Sequence, residues 1–315
     1  MPRVSIVVVT HQSAEFIGSC LDSLSGVDDV EIVVVDNAST DETCGKVSTR
    51  GMRLIANPDN AGFAAAANQG VNATSAPLIL LLNPDARFET GIDSLIECFD
   101  DPKTGGAGGL LTGPDGLPQT GFMARNLPTP AALAYEVLGI NRFWPGNPVN
   151  WHYRCSGKDP MTPAFIDQPA GAFFMFRRTA WQQLDGFDEQ FWPIWFEDVD
   201  FCARLLSSGF NVLYQPAARA FHQGGHSLEI IPVELKEKYW YGSLLKYAAK
   251  HYQPIAFAMV CLSVAVGAIG RAIRSFPGSG LRVFKVYGSV VRLSFAHLLG
   301  VHLPGDQLPG PRRNT

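Results

Sequence analysis

Carboxylates close three apolar runs of this chain. Asp36 follows Ile32–Val35, Asp85 follows Leu78–Leu82, and the pair Glu197-Asp198 follows the aromatic stretch Phe191–Phe196. The carboxyl end of a buried strand opens onto the crevice where α/β sheets bind ligands, so these acids are placed to converge there. Asp is also a favoured turn and cap residue, and Asp36 or Asp85 taken singly fits that role as well. The first strand-to-helix turn, Thr10-His11-Gln12-Ser13, has no glycine, which removes a GxGxxG dinucleotide loop, and no GxxxxGKS/T phosphate loop occurs in the chain. A nucleotide would then be held in another way. One carboxylate can hydrogen-bond the base, while a divalent cation bridges the diphosphate to a second carboxylate. Mg2+ and Mn2+ prefer oxygen ligands and commonly sit between carboxylates and phosphates.

The elements that would position these residues are legible from the hydrophobic pattern. Val4–Val9 is a charge-free β-branched run, the mark of a strand buried on both faces, Glu31–Val35 reads as a second buried strand, and Met52–Ala56 and Leu78–Leu82 as a third and fourth. Between them, Ala14–Leu24 and Ala61–Val71 carry a helical period, and Ser39-Thr40-Asp41-Glu42 supplies caps for a helix through about Val47. Strand and helix alternate four times, which predicts a doubly wound α/β sheet. Gly105–Pro118 predicts a strand and turn, 120–165 an irregular excursion, Ala172–Arg178 a strand, Trp195–Ser207 a helix and Phe210–Tyr214 a strand. From Val233 onward the chain reads as helical.

Composition narrows the class. At 315 residues, 46% apolar and 17% charged, the chain has ample surface to bury and is not a disordered polyampholyte. A net charge of −4 argues against a general nucleic-acid binder. That mean hides a split: residues 1–235 hold 14 Lys and Arg against 27 Asp and Glu, whereas residues 236–315 hold 11 against 2. The six cysteines are scattered without a CxxC pair, which predicts reduced thiols and no zinc cluster. Met1-Pro2-Arg3 leads directly into an apolar strand without the features of a signal peptide, and a cytoplasmic location is expected.

The segments VSIVVVTHQSAEFIGSCLDSL, EIVVVDNASTDET, NPDNAGFAAAANQG, LILLLNPDARFE, QPAGAFFMFRR and GFDEQFWPIWFEDVDFCARLLSSGF, followed by HQGGHS, resemble in order and spacing the family 2 glycosyltransferases. More narrowly, they resemble the rhamnosyltransferase-like branch that builds bacterial polysaccharides and lipid-linked oligosaccharides. The resemblance spans about residues 3–230. It implies a GT-A fold, a mixed α/β sheet here followed by a C-terminal helical extension. The division it suggests is a catalytic domain over 1–232 and a helical, basic region over 233–315. It implies an inverting, metal-dependent transfer of a sugar from a nucleotide diphosphate to a glycan acceptor in cell-envelope polysaccharide synthesis. For a donor such as dTDP-L-rhamnose, inversion would give an α-linked product.

Carried over residue by residue, the resemblance places Asp36 against the nucleotide base and Thr10 against the nucleoside. The turn containing Asn60 and Gly62 would line the nucleotide and sugar. Asp85 fills the last place of the family's DxD-type metal motif, whose first acidic place is Asn83 here. His222 matches the histidine that completes the Mg2+ or Mn2+ site, with imidazole favouring Mn2+. Asp198 matches the catalytic base that takes the acceptor's proton. Glu197 would either raise the pKa of Asp198 by like-charge repulsion or hold the acceptor. His226, just past His222, fits a contact to the diphosphate or, equally, an ordinary loop role, and Trp192 and Trp195 offer faces for an acceptor sugar or, equally, pack in the core. Asp200 is expected to pair with Arg204 four residues on.

The tail has its own pattern. Ile255–Ile269 is fifteen residues without a charge, short for a membrane span, and is flanked by Lys246, Lys250, Arg271 and Arg274. Leu281–Leu299 mixes Arg282, Lys285 and Arg292 with large apolar residues, which suits an amphipathic helix on anionic lipid. Residues 236–315 are therefore expected to seek the inner face of the cell membrane, where a polyprenyl-linked acceptor would lie. The alternative is a pair of packed helices or a homodimer interface. Against the enzyme reading stands a non-catalytic nucleotide-sugar-binding protein on the same fold, suggested by Asn83. Other galactofuranosyl or hexosyl donors also stay open.

Overall fold

The computed structural model describes residues 1–225 and 232–301. The chain divides into two compact units. The first comprises Met1–Leu127, Arg154–Glu189 and Glu197–Ile230, and the second Pro128–Tyr153, Gln190–Phe196 and Ile231–Thr315. The helical C-terminal region thus forms its unit together with 128–153 and 190–196, two segments that lie upstream of residue 232 in the chain.

The first unit is built on a mixed sheet. Strands β1 (Val4–Thr10), β2 (Val30–Asn37), β3 (Arg53–Asn57) and β4 (Leu78–Leu82) are parallel, in the order β3-β2-β1-β4. Every residue of β1 and β4 is buried, as is the second half of β2, whereas β3 at the edge of the sheet is half-buried or exposed along its length. Helices α1 (Ile17–Asp22), α2 (Thr43–Ser48) and α3 (Phe63–Asn72) make the crossovers. Beyond β4 the sheet turns mixed. β10 (Phe173–Arg177) runs antiparallel to both β4 and β6 (Thr104–Thr112), and β11 (Asn211–His222) runs parallel to β6. The antiparallel β5 (Ala86–Thr90) closes the edge along β11. Helix α9 (Glu197–Ser207) lies between β10 and β11 in the chain, and a short α8 (Arg178–Gln183) follows β10. The core joins the sheet strands to Phe174, Phe176, Phe187 and Phe201, whose rings meet edge-on or tilted.

Three expectations need correction. β11 runs to His222 rather than stopping at Tyr214. Its second half alternates buried Ala218, Ala220 and His222 with more exposed partners, and a register shift between Gln215 and Arg219 absorbs Pro216, which cannot donate to a ladder. Helix α9 starts at Glu197, not Trp195, because Trp195 and Phe196 have φ of 79° and 70°, outside the helical region. The stretch 120–165 is not irregular throughout: it holds short helices at Pro130–Val137, Ile140–Phe143 and Pro148–Tyr153. The first of these is started by Thr129, whose side-chain oxygen accepts from the Ala132 N–H, with Pro130 in the first turn.

In the second unit, helices Val233–His251, Pro254–Ser279 and Arg282–Leu299 follow one another. The charge-free run lies inside the middle helix, the one described helix long and apolar enough to cross a membrane by length and composition. One face of it buries Val260, Cys261, Val264 and Ala268, with the Ser294 hydroxyl of the third helix donating to the Cys261 carbonyl. The other face exposes Ile255, Met259, Leu262, Val266, Ile269 and Ile273.

Candidate functional site

The carboxyl ends of β1, β2 and β4 open at one edge of the sheet. Thr10 and Asp36 are register partners across β1 and β2, so their side chains meet. The Thr10 hydroxyl donates to Asp36 Oδ1 at 2.7 Å, and Ser39 donates its hydroxyl to Oδ1 at 2.6 Å and its N–H to Oδ2 at 2.8 Å. Asp36 is buried, and Thr10, expected against the nucleoside, is fully buried with its hydroxyl committed to Asp36. A carboxylate held by three donors is oriented rigidly while keeping lone pairs for a ligand. The neighbouring turn is tied to the same strand end. Asn37 donates to the Gly62 carbonyl at 3.1 Å, and Asn60 Oδ1 accepts from the Gly62 N–H at 2.9 Å. Gly62 has φ of 87° just before α3, a conformation that a side chain would strain.

Asp85 follows β4 on the turn Asn83-Pro84-Asp85. It is 6% exposed, yet its Oδ1 is buried without a hydrogen-bond partner. His222, at the end of β11, presents Nε2 3.5 Å from that oxygen. This is too long for a hydrogen bond. It is close to the spacing of two neighbouring ligands on one small cation, about 3 Å for metal bonds of about 2.1 Å at right angles. Burial lowers the pKa of His222 and the Asp85 carboxylate opposes that shift. A buried carboxylate oxygen facing an imidazole nitrogen fits the donor set expected for a divalent cation. No group of three His, Cys, Asp or Glu side chains able to hold a metal occurs among the described residues, so further ligands would come from a diphosphate or water.

Asp198 sits in the first turn of α9. Its Oδ2 accepts from Gln168 Nε2 at 3.1 Å and from the Gly171 N–H at 3.2 Å, and Oδ1 accepts from the Val199 N–H at 2.8 Å. Burial raises its pKa above the usual Asp value, while these hydrogen bonds and the Arg125 guanidinium pull the other way. The neighbouring Glu197 is itself buried. Gly171 is needed for a close approach, since a Cβ there would stand 3.1 Å from Asp198 Oδ2. Asp200 is fully buried and pairs with Arg204 Nε at 2.8 Å, as expected. Two threads join Asp198 to the Asp85–His222 pair. Gly171 precedes Ala172, whose carbonyl accepts from the Asn83 N–H, and Arg125 lies over the Phe122 ring, which stacks on His222.

Because the Gln168 hydrogen bond lowers the pKa of Asp198, its removal raises that pKa further. For a group that must be ionised to accept a proton, Gln168→Leu is therefore expected to move the acid limb of the pH–kcat/KM profile to higher pH. An unchanged limb would show that the contact does not tune Asp198.

Trp192 and Trp195 belong to the second unit, where Trp192 meets Tyr239 edge-on with ring centroids 5.6 Å apart. His226 lies outside the described residues. Sequence reasoning missed Ser39, Gln119, Phe122, Arg125 and Gln168. Gln168 opens the QPAGAFF segment and was within reach, but Gln119–Arg125 lies in a stretch without period and gives no local signal. The cysteines form no disulfide among the described residues: Cys20, Cys202 and Cys261 are buried and Cys44, Cys98 and Cys155 half-buried.

Comparison with known proteins identifies the family and the fold. The model described as glycosyl transferase family 2 matches residues 5–184, and one described as the N-terminal domain of galactosyltransferase matches 152–226. An N-acetylglucosaminyl-diphospho-decaprenol L-rhamnosyltransferase of Mycobacterium tuberculosis is 31% identical over 243 residues, covering 70% of this chain and 76% of the relative. A low-salt glycan biosynthesis hexosyltransferase of Haloferax volcanii is 25% identical over 223 residues, covering 70% and 66%. Among solved structures, a mannosyltransferase from Pyrobaculum calidifontis in complex with GDP-Man and Mn2+ matches with a TM-score of 0.53 at 16% identity, covering 95% of this chain and 85% of that one. Staphylococcus aureus TarS 1-349 in complex with UDP-GlcNAc matches with a TM-score of 0.51 at 14% identity, covering 98% and 95%.

Proposed function

The chain belongs to glycosyl transferase family 2, and from that premise we propose that it is an inverting, metal-dependent transferase acting on a glycan acceptor. The observation that carries the mechanism is Asp198, a buried carboxylate fixed by Gln168 and Gly171 with its pKa raised by burial. In the reaction, the acceptor hydroxyl oxygen forms a bond to the anomeric carbon as the bond from that carbon to the diphosphate breaks. Its proton passes to the Asp198 carboxylate, and the nucleoside diphosphate leaves with the electron pair. Asp36, with Thr10 and Ser39 behind it, holds the nucleotide base. Asp85 and His222 would hold Mg2+ or Mn2+, which when bound neutralises charge on the departing diphosphate.

The donor best supported is dTDP-L-rhamnose and the acceptor a polyprenyl-diphosphate-linked sugar, by analogy with the relative at 31% identity. A panel of nucleotide sugars with nucleotide release as readout tests this. Release confined to hexosyl or galactofuranosyl donors would reject the rhamnosyl assignment, and release from none would favour a binding protein.

A lipid-linked acceptor fits a peripheral place on the inner face of the cell membrane through residues 236–315. The exposed apolar side chains of Pro254–Ser279 and the exposed Arg274, Lys285 and Arg292 support that reading. Each basic residue near an anionic surface contributes about 1 kcal/mol, so changing these three to Gln is expected to weaken binding to phosphatidylglycerol-containing vesicles roughly 100-fold. Vesicle flotation checks it. Unchanged binding would leave these helices as packing or dimerisation elements.

A further inference from the structure

The side-chain amide of Gln119 contacts both the backbone and the ring of His222. After β6 the chain turns back, Thr112 pairing with Pro118, and the Gln119 N–H donates to the Leu111 carbonyl at 2.8 Å. Since β6 runs beside β11, this turn faces the end of β11. Gln119 Nε2 donates to the His222 backbone carbonyl at 2.9 Å, and Gln119 Oε1 lies 3.0 Å from His222 Nδ1. The two contacts settle the amide's orientation. A flipped amide would set its oxygen against the His222 carbonyl, two acceptors with no proton between them. With the oxygen at Nδ1, and an amide oxygen able only to accept, Nδ1 must carry the hydrogen. The neutral ring then has a bare lone pair on Nε2, directed to within 3.5 Å of the unpartnered Asp85 Oδ1. Phe122 holds the plane of the ring, stacked with centroids 5.2 Å apart and 2° between planes.

We infer that Gln119 is the positioning residue that fixes His222 as its Nδ1–H tautomer, so that Nε2 and Asp85 Oδ1 form a two-point site for a divalent cation. This deepens the proposed metal dependence and rests on it. A ligating histidine generally gives its other N–H to an oxygen acceptor that sets tautomer and ring angle; here a glutamine, anchored on the histidine's own backbone, takes that part.

The test combines two readouts. Long-range 1H–15N correlation on protein labelled at histidine, with His222 assigned by comparison with H222Q, reports the tautomer without metal. Titration with Mn2+ alone, and then with dTDP present, followed by electron paramagnetic resonance of the free ion, reports affinity. Wild type is expected to show Nδ1–H and a bare Nε2. Gln119→Leu is expected to move the hydrogen to Nε2, where Asp85 can accept it, and to lower Mn2+ affinity about 10–100-fold. Gln119→Glu keeps an acceptor at Nδ1 and is expected to keep the Nδ1–H tautomer, although its second oxygen loses the hydrogen bond to the His222 carbonyl. Should Gln119→Leu fail to fold, the wild-type spectrum and Gln119→Glu still decide the matter. An Nε2–H tautomer in wild type, or Gln119→Leu with unaltered tautomer and Mn2+ binding, would overturn the role of Gln119. A wild type that binds no Mn2+ with or without dTDP, while losing the Nδ1–H tautomer on Gln119→Leu, would instead overturn the cation site.

Discussion

Asp198→Asn is expected to lower kcat/KM about 10²–10⁴-fold while dTDP affinity stays near wild type, because general-base catalysis contributes roughly that much. The substitution is nearly isosteric, and the Val199 and Gly171 N–H donors that hold the side chain remain. One arrangement changes: an Asn amide has a single oxygen for donors on both sides, so with that oxygen turned toward Gly171 and Gln168 its nitrogen faces the Val199 N–H. The proton acceptor is lost together with that one hydrogen bond. Nucleotide release at saturating acceptor measures the rate, and calorimetry with dTDP measures binding. Turnover near wild type would remove Asp198 from the role of base. The wild-type profile supplies a second check. Asp198 works only when ionised and burial raises its pKa, so activity should fall on the acid side at a pH above the ordinary carboxylate range. Raising the pH past that limb restores it.

Asp85→Asn has the second large effect, and its sign differs between function and stability. Removing the carboxylate charge takes away one of two side chains poised for the cation. Transfer and Mn2+ binding are then expected to fall at least about 100-fold, on the scale of several kcal/mol of charge stabilisation. Chelation of wild type with EDTA should do the same, and Mn2+ should restore it. Stability is expected to hold or rise. In the absence of a cation the buried Asp85 Oδ1 has no partner and faces the His222 Nε2 lone pair 3.5 Å away. An Asn amide there can donate to that nitrogen, relieving a buried unpaired acceptor that costs about 1–3 kcal/mol. A thermal midpoint at or above wild type, together with lost transfer, would mark a site kept for ligand binding at the expense of the fold. Full activity of the variant or of wild type in EDTA would reject the metal assignment.

Much of the first unit was legible because its signals are local. The runs Ile32–Val35 of β2 and Leu78–Leu82 of β4 are apolar throughout, and Asp36 and Asp85 are visible as the first charges after them. Helix α3 shows its period through alanines packed on the sheet. The second half of β11 was hidden because small residues and Pro216 depress strand propensity. Pairing on both sides, to β6 and β5, overrides that deficit. The helices within 128–153 were masked by prolines and aromatics, even though Thr129-Pro130 is a legible start signal.

The acidic body and basic tail, the alternation of strand and helix, and Asp36, Asp85 and Asp198 as candidate groups are legible in the sequence alone, whereas His222 is carried over only by the family resemblance. They depend on residue type, run length and spacing, which act between near neighbours in the chain. Only the tertiary structure decided what each group can do. Burial raises the pKa of Asp198, and Gln168 of β9 (Gln168–Pro169), thirty positions upstream, donates to it and pulls the other way. Thr10 donates to Asp36 because β1 and β2 meet in that register. His222 faces Asp85 through Nε2 because Gln119, a hundred residues earlier, takes its other nitrogen. Desolvation and hydrogen-bond direction are set by contacts between distant segments, and no local pattern carries them.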